Sequence, residues 1–228
     1  MPKYKTLLFD ADNTLFDFTS AERIALSATL QAFGITPTPA LVAAYSRIND
    51  EMWHMLERGE ISKEALRTAR FVSFCREFGF SVDCDAMART YLAQLSTQTV
   101  LIDGALEVCR TLSTDCRLYI VTNGIKSVQT GRFAASALKA YFSGVFISEE
   151  IGFEKPHRGY FEEIARKIPD FERESTLLIG DSLSSDIKGG ADYGLDTCWF
   201  NPQGKAAPVG LSITYQIAAL RELLPLVL

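Results

Sequence analysis

Apolar residues fall along this chain in two rhythms. From Gly104 onward short apolar runs alternate with helical patterns. A helix over 105–113 precedes Leu118-Tyr119-Ile120-Val121, and a helix after Gly124 precedes Val145-Phe146-Ile147. A helix that opens with Pro156 at its first position precedes Thr176-Leu177-Leu178-Ile179, and one near 184–193 precedes Thr197-Cys198-Trp199-Phe200. Buried strands separated by helices of roughly 10 to 15 residues predict a parallel sheet covered on both faces. Thr6-Leu7-Leu8-Phe9 is one more such strand, and it ends abruptly in the turn chemistry of Asp10-Ala11-Asp12-Asn13-Thr14.

Between that strand and residue 98 the rhythm is helical throughout. Ser20 precedes Ala21-Glu22-Arg23, with apolar Ile24, Leu26, Leu30 and Phe33 and a stop at Gly34. Thr36-Pro37-Thr38-Pro39 opens a second helix, and Ser62 with Lys63-Glu64-Ala65 opens another that reaches Phe78-Gly79. The expected architecture is therefore a doubly wound α/β core formed by residues 1–15 and 99–228, interrupted by an all-α insert over 16–98.

Composition narrows the class without altering that picture. With 228 residues, 47% of them hydrophobic and 22% charged, the chain can bury a full core and is neither disordered nor fibrous. Its apolar runs are strand-length, far short of the roughly 20 residues that cross a bilayer, so no membrane partner is expected. A net charge of −5 argues against a polymeric nucleic acid as partner, because phosphate-backbone affinity needs clustered Lys and Arg. Cys75, Cys84, Cys109, Cys116 and Cys198 form an odd set without C-x-x-C spacing, which predicts free thiols in a reducing compartment. Met1-Pro2-Lys3-Tyr4-Lys5 runs into a strand without a signal-peptide apolar region, and the expected location is cytoplasmic.

Chemistry concentrates where strands end, the usual place for working groups in open α/β sheets. The first strand ends in Asp10 and Asp12, the second in Thr122-Asn123, and a later one in Gly180-Asp181 with Asp186 five residues on. Lys155 follows the strand at 145–147. Folding should gather four carboxylates, a hydroxyl, an amide and one ammonium at a single edge. Two like charges 4 Å apart repel by roughly 4 kcal/mol at an effective dielectric of 20, so Asp10, Asp12, Asp181 and Asp186 require a cation. Hard oxygens without Cys or His nearby favour Mg²⁺, which shares its remaining positions with water and phosphate, and Lys155 adds positive charge. One carboxylate of the Asp10/Asp12 pair can attack phosphorus while the other hands a proton to the departing oxygen. Thr122 and the amides after it, with Lys155, would hold the phosphoryl oxygens.

These segments resemble the haloacid dehalogenase (HAD) superfamily. Phe9-Asp10-Ala11-Asp12-Asn13-Thr14-Leu15 is similar to its first motif and Ile120-Val121-Thr122-Asn123-Gly124 to its second. Lys155-Pro156 matches the third, and Gly180-Asp181-Ser182-Leu183-Ser184-Ser185-Asp186 the fourth. The resemblance implies a Rossmann-like core with a helical cap. It further implies Asp10 as nucleophile, Asp12 as general acid then base, and Thr122, Asn123 and Lys155 as phosphate binders. Mg²⁺ would be held by Asp10, the backbone carbonyl of Asp12 and Asp181, with Asp186 in support. Dehalogenase members lack the second aspartate, since a halide needs no proton, so Asp12 favours ester hydrolysis. Mutase members carry a cap histidine soon after the first motif, and 18–23 has none.

The wider pattern is similar to bacterial 5′-nucleotidases of that superfamily, which implies nucleoside 5′-monophosphates as substrates and a monomer or small homo-oligomer. Phe16, Phe18, Trp53 and Arg70 are the candidate specificity residues, since aromatic rings stack bases and Arg can bond their edges; the same helical spacing also suits cap core. His54 and His157 are expected at the surface or at a helix start, with no catalytic role. Two other readings remain: a phosphatase of sugar phosphates or phosphoglycolate, and a non-enzymatic receiver module that also joins acids, a hydroxyl and a lysine on a parallel sheet.

Overall fold

The computed structural model describes residues 3–228. Strands β1 (Thr6–Phe9), β2 (Arg117–Thr122), β3 (Phe142–Ile147), β4 (Thr176–Gly180), β5 (Asp196–Phe200) and β6 (Tyr215–Ile217) form one sheet in the order β3-β2-β1-β4-β5-β6, and every pairing is parallel. After β1 the chain builds outward to β2 and β3 and then returns to lay β4 on β1's other side. That reversal opens a crevice beyond the carboxyl end of β1, where Asp10 lies. The central strands β1 and β4 are buried at every residue, which is why they read as continuous apolar runs rather than as alternation.

Four helices precede β2 within the insert and its return: α1 (Phe18–Ala32), α2 (Pro39–Glu57), α3 (Lys63–Phe78) and α4 (Cys84–Ser96). Each has a short polar residue as its start signal. Asp17, Thr38, Ser62 and Asp83 accept backbone N–H bonds from Ser20, Leu41, Ala65 and Ala86 respectively. The first helix is thus capped by Asp17 rather than Ser20 and begins at Phe18. In the core, α5 (Ala105–Leu112), α6 (Lys126–Ala135), α7 (Ser148–Ile151), α8 (Arg158–Lys167), α9 (Lys188–Tyr193) and α10 (Leu224–Val227) complete the layers.

Pro156 is not the first residue of α8, contrary to expectation. Its peptide bond with Lys155 is cis, and the helix starts at Arg158 with the His157 imidazole accepting from Gly159 N–H at 3.0 Å. The helix expected near 184–193 is a π-helical turn over Leu183–Ile187 that passes into α9. β6 has only three residues and went unanticipated.

Three apolar clusters hold these layers. Leu7, Phe9, Ile120, Leu177 and Ile179 pack on α5 and α10 on one face, and Leu8, Val121 and Leu178 pack on α8 and α9 residues on the other. The third belongs to the insert: Leu30, Tyr45, Phe71, Phe74 and Tyr91 are its centre, and Ile125 and Val128 at the start of α6 join it. All five cysteines are free, and no described helix is long and apolar enough to cross a membrane.

Candidate active site

Beyond the carboxyl ends of β1, β2 and β4 lies a cavity of about 250 Å³. Asp10, Asp12, Thr122, Asn123, Lys155, Asp181 and Asp186 all line it. The turn after β1 is tight because Asn13 adopts φ 60°, a left-handed conformation that Asn tolerates better than most residues.

Lys155 is the hub. Its buried ammonium donates to Asp10 Oδ1 at 2.8 Å, to Asp186 Oδ1 at 2.7 Å and to the Val121 carbonyl at 2.7 Å. All three of its N–H donors are engaged, so any contact with a phosphoryl oxygen requires it to release one. Burial alone would lower its pKa, but Asp10 and Asp186 outweigh burial and leave it raised. Asn123 fixes the lysine's backbone: its amide donates to the Lys155 carbonyl and accepts from the Lys155 N–H, both at 2.8 Å. Thr122 Oγ1 accepts from Gly124 N–H at 3.0 Å, which leaves its own O–H free to donate into the cavity.

Three of the four carboxylates expected at this edge crowd together. Oxygens of Asp10, Asp181 and Asp186 lie within 4.8 Å of one another. Burial first, then repulsion from Asp186 and Asp181, pushes the Asp10 pKa well up against the pull of Lys155. Burial and Asp186 likewise push Asp181 up to about 7. A three-carboxylate donor set with only one ammonium is short of positive charge, and hard oxygens at this spacing suit a hard divalent cation such as Mg²⁺. The Asp12 side chain is not part of that trio. It turns toward α6, where Gln129 Nε2 donates to Oδ2 at 2.5 Å and the Arg132 guanidinium pairs with Oδ1. Its backbone carbonyl is what Asp12 can offer a cation.

The insert closes the cavity. Phe18 at the start of α1 lines it together with Asn49, Asp50, Trp53, His54, Leu56 and Glu57 of α2. Phe16 and Arg70 do not line it. The Phe16 ring is buried in the core cluster under the Arg132 guanidinium, and Arg70 is buried in the insert against Tyr91 and Phe71. Arg70 reaches the cavity only indirectly, by donating to Asn49 Oδ1 at 2.8 Å while Asn49 Nδ2 donates to Glu22 at 2.9 Å. Sequence reasoning missed Asn49, Asp50 and Glu57. The signal was available: 49, 53 and 56 with 50, 54 and 57 trace one helical face.

A haloacid dehalogenase-like hydrolase family model matches residues 4–194. The chain is 40% identical to the HAD-hydrolase YfnB of Bacillus subtilis, over 98% of this chain and 95% of that protein. It is also 40% identical to the pyrimidine 5′-nucleotidase PynA of Streptococcus pneumoniae, over 97% and 94% of the two chains, and 29% identical to the pyrimidine 5′-nucleotidase YjjG of Escherichia coli, over 97% and 96%. A crystal structure of the B. subtilis protein, described as bound to magnesium and as revealing interdomain movement, superposes with a TM-score of 0.92 over 97% of each chain. With the family model spanning most of its length and two relatives at 40% identity, the chain belongs to the haloacid dehalogenase-like hydrolases.

Proposed function

We propose that the protein is a Mg²⁺-dependent phosphatase that hydrolyses nucleoside 5′-monophosphates through a phosphoryl group carried on Asp10, with residues 16–98 acting as its cap. The observation that carries this reading is the Asp10 carboxylate: it sits in a crevice beside Lys155 and two further aspartates, with Thr122 lining the same cavity. Two relatives named as pyrimidine 5′-nucleotidases support the nucleotide, as do the Phe18 and Trp53 rings in the same cavity.

An Asp10 carboxylate oxygen bonds to phosphorus as the ester P–O bond breaks, and the departing alkoxide takes a proton from the Asp12 carboxyl. Water then attacks the phosphoryl group, Asp12 accepts its proton, and the bond from phosphorus to Asp10 breaks to release phosphate. Thr122 O–H and Asn123 steady the phosphoryl oxygens, while Lys155 holds Asp10 in line. Asp10, Asp181 and the Asp12 carbonyl would hold Mg²⁺, with Asp186 in support. When bound, the ion neutralises phosphoryl charge that this acidic edge would otherwise repel.

Phosphate release from a panel of nucleoside, sugar and glycolate monophosphates tests the reading. Pyrimidine nucleotides are expected to lead; hydrolysis confined to sugar phosphates or phosphoglycolate would replace it. Trp53→Ala is expected to raise KM for nucleotides by roughly tenfold, the value of about 1–3 kcal/mol of stacking, with kcat little changed. An unaltered KM would return Trp53 to a packing role.

The pH dependence of Mg²⁺ stabilisation follows from Asp181. Its folded pKa, about 7, lies above its ordinary value of 3.8. Its contribution to the metal-free fold is therefore fully present below about pH 4 and lost as pH climbs through about 7. Mg²⁺ should then raise the melting temperature more at pH 8 than at pH 5.5, as read by thermal denaturation. An equal or larger gain at pH 5.5 would contradict the assignment.

A further inference from the structure

We propose that Arg132 and Gln129 are positioning residues for Asp12, and that Arg132 ties the orientation of this carboxylate to the two chain segments that carry the helical insert. Gln129 and Arg132 project from one face of α6, three residues apart, and take both Asp12 oxygens. Arg132 is wholly buried, and a guanidinium without water costs several kcal/mol unless paired, so its ion pair with Asp12 is a requirement of the fold.

Its other contacts all lead to the insert's attachment. Arg132 Nε donates to the Gln98 carbonyl at 2.9 Å, and the guanidinium lies 4.6 Å from the Phe16 ring centre. Phe16 belongs to the segment leaving the core and Gln98 to the segment returning to it. These segments run side by side: Phe16 bridges Leu101, Asp17 N–H donates to Val100 at 3.0 Å, and Ile102 N–H donates to Leu15 at 2.9 Å. Two glycines keep the space. A Cβ on Gly124 would lie 2.1 Å from Gln129 Nε2, and one on Gly131 would lie 2.9 Å from the Ser96 carbonyl at the end of α4. One guanidinium therefore touches Asp12, the exit segment and the return segment.

The chemistry gives this contact a consequence. To hand its proton to the departing oxygen, Asp12 must present one carboxyl oxygen to the substrate, and both are held from the α6 side. The buried Arg132 Nη2 has no partner among the described residues, and it offers the carboxylate a second N–H as it turns. A displacement of the insert that carried Phe16 and Gln98 would, through Arg132, carry Asp12 with them.

The inference rests on the phosphatase reading, and the test separates the two. kcat/KM is measured for a nucleoside 5′-monophosphate, whose alkoxide leaving group needs a proton, and for p-nitrophenyl phosphate, whose phenolate does not. Wild type is compared with Gln129→Met and Arg132→Lys, each checked for folding by circular dichroism. Nucleotide kcat/KM is expected to fall about 10²-fold, mostly in kcat, and p-nitrophenyl phosphate kcat/KM at least about fivefold less. A difference below about fivefold in every folded variant overturns the positioning role, because a merely structural defect would slow both esters alike. Should Arg132→Lys not fold, Gln129→Met decides alone. A wild-type protein inert toward both esters would instead overturn the phosphatase reading.

Discussion

Replacing Asp10 by Asn is expected to reduce phosphate release by on the order of 10⁴-fold or more while leaving the protein folded. The two side chains have almost the same shape, so the buried packing at the end of β1 survives. The amide is a poor nucleophile, and it withdraws one anionic oxygen from the site's donor set. Lys155 keeps Asp186 and the Val121 carbonyl as partners, so the ammonium is not left unpaired. Initial-rate phosphate release together with a melting curve checks both halves. Activity within tenfold of wild type in a folded variant would remove Asp10 from the nucleophile's role.

Lys155→Met is expected to damage stability as much as activity. The side chain packs with similar length, but Asp10 and Asp186 lose the cation that lies between them. Breaking a buried pair on one side costs about 3–5 kcal/mol, or roughly 10 °C in melting temperature for a chain of this size. Acid should narrow the deficit, because protonating the Asp10 carboxyl removes the repulsion that the ammonium had offset. Mg²⁺ should narrow it as well, because the folded acidic cluster binds the ion more tightly once the ammonium beside Asp10 and Asp186 is gone. Melting curves at pH 5 and pH 8, with and without the ion, read these effects. A variant as stable as wild type at pH 8 without Mg²⁺ would show that the lysine does not compensate the acidic cluster.

Local chemistry explains how much of this site could be read in advance. Asp10, Thr122 and Asp181 stand where short apolar runs give way to turn residues, and such runs become parallel strands whose ends share one edge. Lys155 was legible for the same reason, although the helix after it begins at Arg158 because the His157 side chain, not Pro156, supplies the cap. Specificity was read less well. Aromatic and arginine residues at helical spacing look alike whether they face a cavity or a core, and only packing sends Trp53 to the cavity and Arg70 inward to Asn49. Gln129 and Arg132 lie more than a hundred residues from Asp12, so no local pattern links them. β6 escaped because an edge strand of three residues, of which only Ile217 is buried, is too short to carry either a continuous apolar run or clear alternation. The family match favours a hydrolase over a receiver module, which the acidic edge alone did not decide.

Asp10 is expected to take the phosphoryl group, at a carboxylate cluster made tolerable by Lys155 and Mg²⁺. The most direct test is acid quench of the Mg²⁺-loaded protein during turnover of a nucleoside monophosphate, followed by mass spectrometry of the peptides. The expected result is one phosphoryl group on the peptide bearing Asp10, absent from Asp10→Asn and absent when chelator precedes the substrate. Rapid phosphate release with that peptide unmodified at every quench time, or with the phosphoryl group on another residue, would contradict it.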